Sequence, residues 1–74
     1  MLTDEKEQVL KAIIVDQIGI AIGKIDDESD LRFDLGCDSL DKAEIIAKYE
    51  SKLNTQIPKE EYSKINKVKD IIKY

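Results

Sequence analysis

Residues 34–41 read Asp34-Leu35-Gly36-Cys37-Asp38-Ser39-Leu40-Asp41, and the rest of the chain can be arranged around this junction. Gly36 permits a positive φ, so the backbone can turn sharply there. Asp38 and Asp41 can accept the free N–H groups of a helix start. A helix is therefore expected to begin at Asp38 or Ser39. Its apolar residues Ile46, Tyr49 and Leu53 fall at i, i+3 and i+7, with Ile45 beside them. Asn54 is a reasonable stop for this helix.

Upstream, Leu10, Ile13, Ile14 and Ile18 form one stripe of a 3.6-residue repeat. A first helix is expected over 3–18, with Thr3 as its cap, Asp4 and Glu5 at its positive end, and Gly19 as its stop. Residues 19–37 have no sustained period. They read as a long acidic loop pinned to the core by single apolar anchors, drawn from Ile20, Ile22, Ile25, Leu31, Phe33 and Leu35. A loop this long in so small a domain is often functional. Downstream, Pro58 suits the first turn of a short helix near 59–64. Asn66 can cap a last helix that buries Val68, Ile71 and Ile72. The expected fold is all-α: a four-helix bundle with a short third helix and a long loop between the first two, formed by residues 1–74 as a single domain.

Composition excludes several chemistries. The 74 residues include no His, no Trp and one Cys. No internal disulfide is possible, and a nucleophile lacks the usual His base. The expectation is a protein that is not an enzyme and has no catalytic residues. Asp26, Glu28 and Asp30 imitate the start of a calcium loop, but Leu31 stands where Gly is needed and Cys37 where Glu is needed. No metal is expected. No apolar run approaches the ~20 residues of a membrane span. No basic segment followed by an apolar one opens the chain, so a cytoplasmic location is expected.

The net charge is −4, and it is unevenly spread: residues 1–41 carry −7 and residues 42–74 carry +3. No dominant basic surface exists to bind nucleic acid. The acidic half suits a basic protein partner.

Read alone, Asp-Ser-Leu fits a serine that merely caps a helix. A hydroxyl at a helix N-terminus is also a sound place for a phosphate ester, because the dipole supplies about half a positive charge and free N–H groups face the anion. The wider pattern adds to this. Leu35-Gly36-Cys37-Asp38-Ser39-Leu40-Asp41 is followed by Glu44 and Ile45 one turn on. Ile57-Pro58 comes next, then Ile65 with Val68 ahead of the last apolar stripe. Over nearly its whole length the chain thereby resembles the acyl carrier proteins. The resemblance implies that Ser39 is esterified by 4′-phosphopantetheine, derived from coenzyme A through a phosphopantetheinyl transferase, with Asp38 and Leu40 framing the attachment point. It implies an arm whose thiol holds acyl groups as thioesters in fatty acid, polyketide or related biosynthesis. Two alternatives remain: a peptidyl or aminoacyl carrier, and an unmodified helical adaptor.

In that family the second helix is the recognition helix. The expected partner surface is Asp38, Leu40, Asp41, Ala43, Glu44 and Ala47, meeting basic patches on acyl-transfer, synthase or ligase enzymes. The alternative for Ala43 and Ala47 is helix-forming filler. A monomer fits transient docking best. The chain departs from the acidic pattern of fatty-acid carriers, since residues 38–53 have a net charge of only −1. Lys42, one turn beyond Ser39, is either a phosphate partner or a solvated surface charge. Tyr49 and Tyr62 replace smaller residues that in the family lie near the acyl cavity. They imply a small or closed cavity suited to short or polar acyl groups, unless the hydroxyls simply reach the surface. Cys37 is either a thiol activated by the nearby helix N-terminus or a plain loop residue.

Overall fold

The computed structural model describes residues 2–74, with side chains from Glu5 onward. Helix α1 spans Leu2–Ile18, α2 spans Ser39–Leu53 and α3 spans Val68–Ile72. A single 3₁₀ turn, Ile22–Lys24, lies in the loop after α1, and a 3₁₀ helix, Lys59–Lys64, precedes α3. The all-α arrangement with a short third helix is as expected. Because α1 begins at Leu2, Thr3 lies inside the first turn; the capping role expected of its side chain falls outside the described residues.

Each boundary has a local cause. Gly19 stops α1 at φ 70°, and its N–H donates to the Val15 carbonyl at 2.9 Å. Asn54 stops α2 in the left-handed region at φ 52°. Helices α1 and α2 run antiparallel. Gln17, at the end of α1, bonds to Asp41 and Glu44 near the start of α2, while Val9 and Ile13 share a groove with Lys48 and Lys52 further along. Between the helices Leu10, Ile14, Ile45, Ile46 and Tyr49 are fully buried, joined from the far side by Val68 and Ile71. Burying each such aliphatic side chain contributes about 1.5–3 kcal/mol.

The loop over 19–37 is bound to the core by Ile25, Leu31, Leu35 and Cys37, all buried. Two of the expected anchors are not anchors. Phe33 is 84% exposed and Ile22 is 50% exposed. The reason lies in the turn over 31–35. The Asp34 N–H donates to the Asp30 carbonyl and the Gly36 N–H to the Arg32 carbonyl, at 3.0 and 3.1 Å. Such i, i+4 bonds are helical, so Leu31 and Leu35 share the inward face and Phe33 points away.

The loop also holds α3. The Val68 N–H donates to the Ser29 carbonyl at 3.1 Å, the Lys69 N–H to the Asp27 carbonyl at 3.0 Å, and the Leu31 N–H to the Asn66 carbonyl at 2.8 Å. Asn66 is not the cap of α3. Lys67 occupies that position, and Asp70 reaches back to accept the N–H groups of Lys67 and Asn66 at 2.9 and 3.0 Å. A side-chain cap is dispensable because loop carbonyls already satisfy the first free donors of the helix. Glu28 adds ion pairs to Lys69 at 2.9 Å and Lys67 at 3.2 Å. The acidic loop residues thus serve the backbone. Asp26 accepts from Glu28 N–H, Asp34 accepts from Asp30 N–H, and Asp30 accepts from Arg32 and Phe33 N–H.

Candidate functional site

The start of α2 is built by a reciprocal cap. Gly36 turns the chain at φ 77° with open space around the position a Cβ would take, so backbone conformation rather than crowding calls for glycine. Cys37 N–H then closes onto the Leu31 carbonyl at 2.8 Å. Asp38 is the N-cap, in extended conformation. Its carboxylate accepts the Asp41 N–H at 2.8 Å, and the Asp41 carboxylate accepts the Asp38 N–H at 3.4 Å. This is a capping box with aspartates at both ends. The cap is therefore Asp38, and Ser39 is not needed for it. Ser39 is the first residue of the helix and is exposed. Its hydroxyl stands at the positive end of the α2 dipole.

The other residues expected at the site divide into two groups. Leu40 is 67% exposed, and Glu44 and Ala47 are exposed with it. Ala43 is half-buried, as is Asp41. The outward surface is thus Leu40, Glu44 and Ala47, with Asp38 at its head and Asp41 at its flank. Gln17 was not visible from sequence as part of this region. Its amide donates to Asp41 at 3.3 Å and to Glu44 at 2.6 Å, and its oxygen accepts from Lys48 at 2.7 Å. The only sequence signal was a polar residue on the edge of the α1 stripe, which does not distinguish a hub from an ordinary surface side chain.

Lys42 is not a plain solvated surface charge. Its ammonium donates to the carbonyls of Tyr62 at 2.8 Å and Ile65 at 3.0 Å. It thereby sits at the negative, C-terminal end of the 3₁₀ helix. Cys37 is not an activated thiol: burial, then the charges of Asp41 and Asp38, push its pKa up. Tyr49 is fully buried, its hydroxyl has no hydrogen-bond partner among the described residues, and burial raises its pKa. The alternative of a hydroxyl reaching the surface is therefore excluded for Tyr49. Tyr62 is half-buried, with its phenol pushed up by burial and by the charge of Glu50.

A groove of about 280 Å³ opens beside Ser39, and Asp30, Arg32, Phe33, Lys42 and Ile65 are among its lining residues. The Arg32 guanidinium lies 5.9 Å from the centre of the Phe33 ring. Among the described residues no group of three or more His, Cys, Asp or Glu side chains is placed to hold a metal, and no helix is long and apolar enough to cross a membrane.

A rigid helical platform, one exposed hydroxyl at a helix head, and a neighbouring groove define a carrier: a protein that presents a tethered group to other proteins. The chain belongs to the phosphopantetheine-attachment family, whose model, described as "Phosphopantetheine attachment site", matches residues 8–74. Domains of this family are the site of covalent 4′-phosphopantetheine attachment and are carriers rather than enzymes. They interact with synthases, transferases and phosphopantetheinyl transferases. The start of α2 fits such a group, since Ser39 is exposed and Asp38 and Asp41 cap the helix without it.

Proposed function

We propose that this chain is an acyl carrier in fatty acid, polyketide or related biosynthesis, and that Ser39 is its attachment residue. A phosphopantetheinyl transferase would join the Ser39 oxygen to the phosphorus of phosphopantetheine as the pyrophosphate bond of coenzyme A breaks, with adenosine 3′,5′-bisphosphate leaving and the serine proton released. The bound arm supplies a thiol on which acyl groups travel as thioesters. The observation that carries the reading is the division of labour at the head of α2. Asp38 and Asp41 satisfy the backbone there, so the Ser39 hydroxyl is left exposed with no structural duty.

The protein's own contribution is presentation. Asp38, Leu40, Asp41, Glu44 and Ala47, with half-buried Ala43 at the edge, form the proposed partner surface, with Leu40 as an apolar contact inside an acidic frame. The net charge of α2 understates how acidic that frame is, because the Lys42 ammonium is turned onto the carbonyls of Tyr62 and Ile65. Gln17 holds Asp41 and Glu44 in place. A basic patch on an acyl-transfer, synthase or ligase enzyme complements this arrangement and speeds encounter. The Asp-Ser-Leu-Asp run and the acidic loop favour acyl over peptidyl cargo.

Incubation with coenzyme A and a phosphopantetheinyl transferase tests the assignment by intact mass. One phosphopantetheinyl increment is expected in the wild type and none in Ser39→Ala. No increment with several transferases favours an unmodified adaptor, and an increment that survives Ser39→Ala moves the attachment point elsewhere. Identification of the thioester on protein isolated from its own cell decides between acyl and peptidyl cargo.

A further inference from the structure

The groove beside Ser39 is lined by two cations, and they are engaged differently. Lys42 is half-buried and directs two of its three N–H donors to the carbonyls of Tyr62 and Ile65. Arg32 is exposed, and among the described residues no carboxylate forms an ion pair with it. Its neighbour Phe33 is 84% exposed, an unusual placement for the only phenylalanine of the chain. The backbone beneath them is nevertheless fixed. Asp30 accepts the N–H of both Arg32 and Phe33 at 2.9 Å, and Asp34 in turn accepts the N–H of Asp30 at 2.7 Å. Two exposed side chains on a braced turn are preorganised for a ligand.

Building on the attachment at Ser39, we infer that the Arg32–Phe33 turn and the groove behind it hold the base of the chain's own phosphopantetheine arm against the protein. The phosphodiester is an anion, and Arg32 is the exposed cation of the groove. A guanidinium is well suited to a phosphate, because it offers planar paired donors that an ammonium lacks. Beyond the phosphate, phosphopantetheine has a branched apolar segment and then amides. Phe33 offers an apolar wall, and Asp30 and Asn66 the polar ones. The contact restrains the near end of the arm and leaves the thiol end to swing.

The test separates this inference from the attachment on which it rests. Protein is loaded with coenzyme A and a phosphopantetheinyl transferase, and conversion is read by intact mass. No increment removes the Ser39 assignment and this inference together. On loaded protein, amide NMR shift differences between holo and apo forms are expected at Arg32, Phe33, Ile65 and Asn66 as well as next to Ser39. Arg32→Gln is expected to abolish the distant differences and to move the ³¹P resonance toward that of free phosphopantetheine. Phe33→Ala is expected to reduce them. Lys24→Gln, which removes an exposed cation outside the groove, leaves them unchanged. Both variant side chains are exposed, and matching apo spectra away from the turn verify that the fold is kept. Differences confined to residues 38–42, or unaltered by Arg32→Gln, overturn the inference while Ser39 stands. So does a rise in the transferase KM for Arg32→Gln with an unaltered ³¹P signal, which would place the pair on a partner surface instead.

Discussion

The two ends of α2 treat a hydroxyl in opposite ways. At the head, Ser39 is exposed while aspartates on either side of it satisfy the backbone. Ten residues on, Tyr49 is fully buried and its hydroxyl is without a partner among the described residues. Water satisfies the first at no cost to the fold. The second loses its water for nothing, a penalty of about 1–3 kcal/mol, offset by the large apolar area of the ring. Chemistry is available where folding makes no demand on the side chain, and stability is concentrated where nothing else can reach.

Substitutions at the two ends should therefore separate function from stability. The largest effect on folding is expected from Tyr49→Ala, at about 3–5 kcal/mol. That approaches the whole stability of a chain this long, roughly 4–11 kcal/mol, so much of the variant is expected to be unfolded by circular dichroism at 25 °C. Ser39→Ala, by contrast, is expected to change the urea midpoint by less than about 0.5 kcal/mol while eliminating modification. A strongly destabilised Ser39→Ala would break the comparison. Tyr49→Phe sharpens it: removal of the orphaned hydroxyl is expected to raise stability by about 1 kcal/mol with an unchanged m-value. A loss of stability would reveal a partner for the hydroxyl. The family resemblance places this ring near the space that shelters an acyl chain. NMR comparison of octanoyl and acetyl forms is expected to show no deep burial of the longer chain.

The aspartate caps give smaller effects. Asp38→Ala is expected to cost about 1 kcal/mol. Asp70 does the comparable work at α3. Burial disfavours its charged form, but the N–H groups of Lys67 and Asn66 and the charges of Lys73 and Lys69 outweigh this and lower its pKa. A carboxylate lowered on folding contributes stability that is present above its unfolded value and lost as pH falls through the folded one. Stability is thus expected to drop as pH descends below about 4, less steeply in Asp70→Asn; identical acid profiles would contradict the role. The smallest effect concerns Cys37. Its buried, raised thiol is expected to react with iodoacetamide at pH 8 more slowly in the folded protein than in urea. Equal rates would mean the loop opens freely.

What could be read from sequence was whatever depends on near neighbours. Gly19 and Asn54 end helices through their own φ preferences, and Asp38 caps α2 through residues within reach of its side chain. The apolar stripes likewise found Leu10, Ile14, Ile46 and Val68. What could not be read depends on distant segments meeting. Lys42 reaches carbonyls twenty residues on, and Gln17 reaches across to α2. Asn66 was displaced as a cap because loop carbonyls from Asp27 and Ser29 already satisfied the helix. Phe33 looked like an anchor on hydrophobicity alone, and the local helical turn rotated it outward. At the site, Ser39 was legible because motif and cap coincide. The groove was not, because its walls come from three separate stretches of chain.

The crossing of the loop over the start of α3 has a further consequence. A five-residue helix has no independent existence in water. This one persists because the main chain of residues 27–31 is stitched to residues 66–69. The two segments therefore form one cooperative opening unit, and hydrogen exchange at Leu31, Val68 and Lys69 should proceed with a common free energy. A partner that pries at the last helix would at the same moment loosen the braced turn beside Ser39, so grip on one side of the molecule is felt on the other.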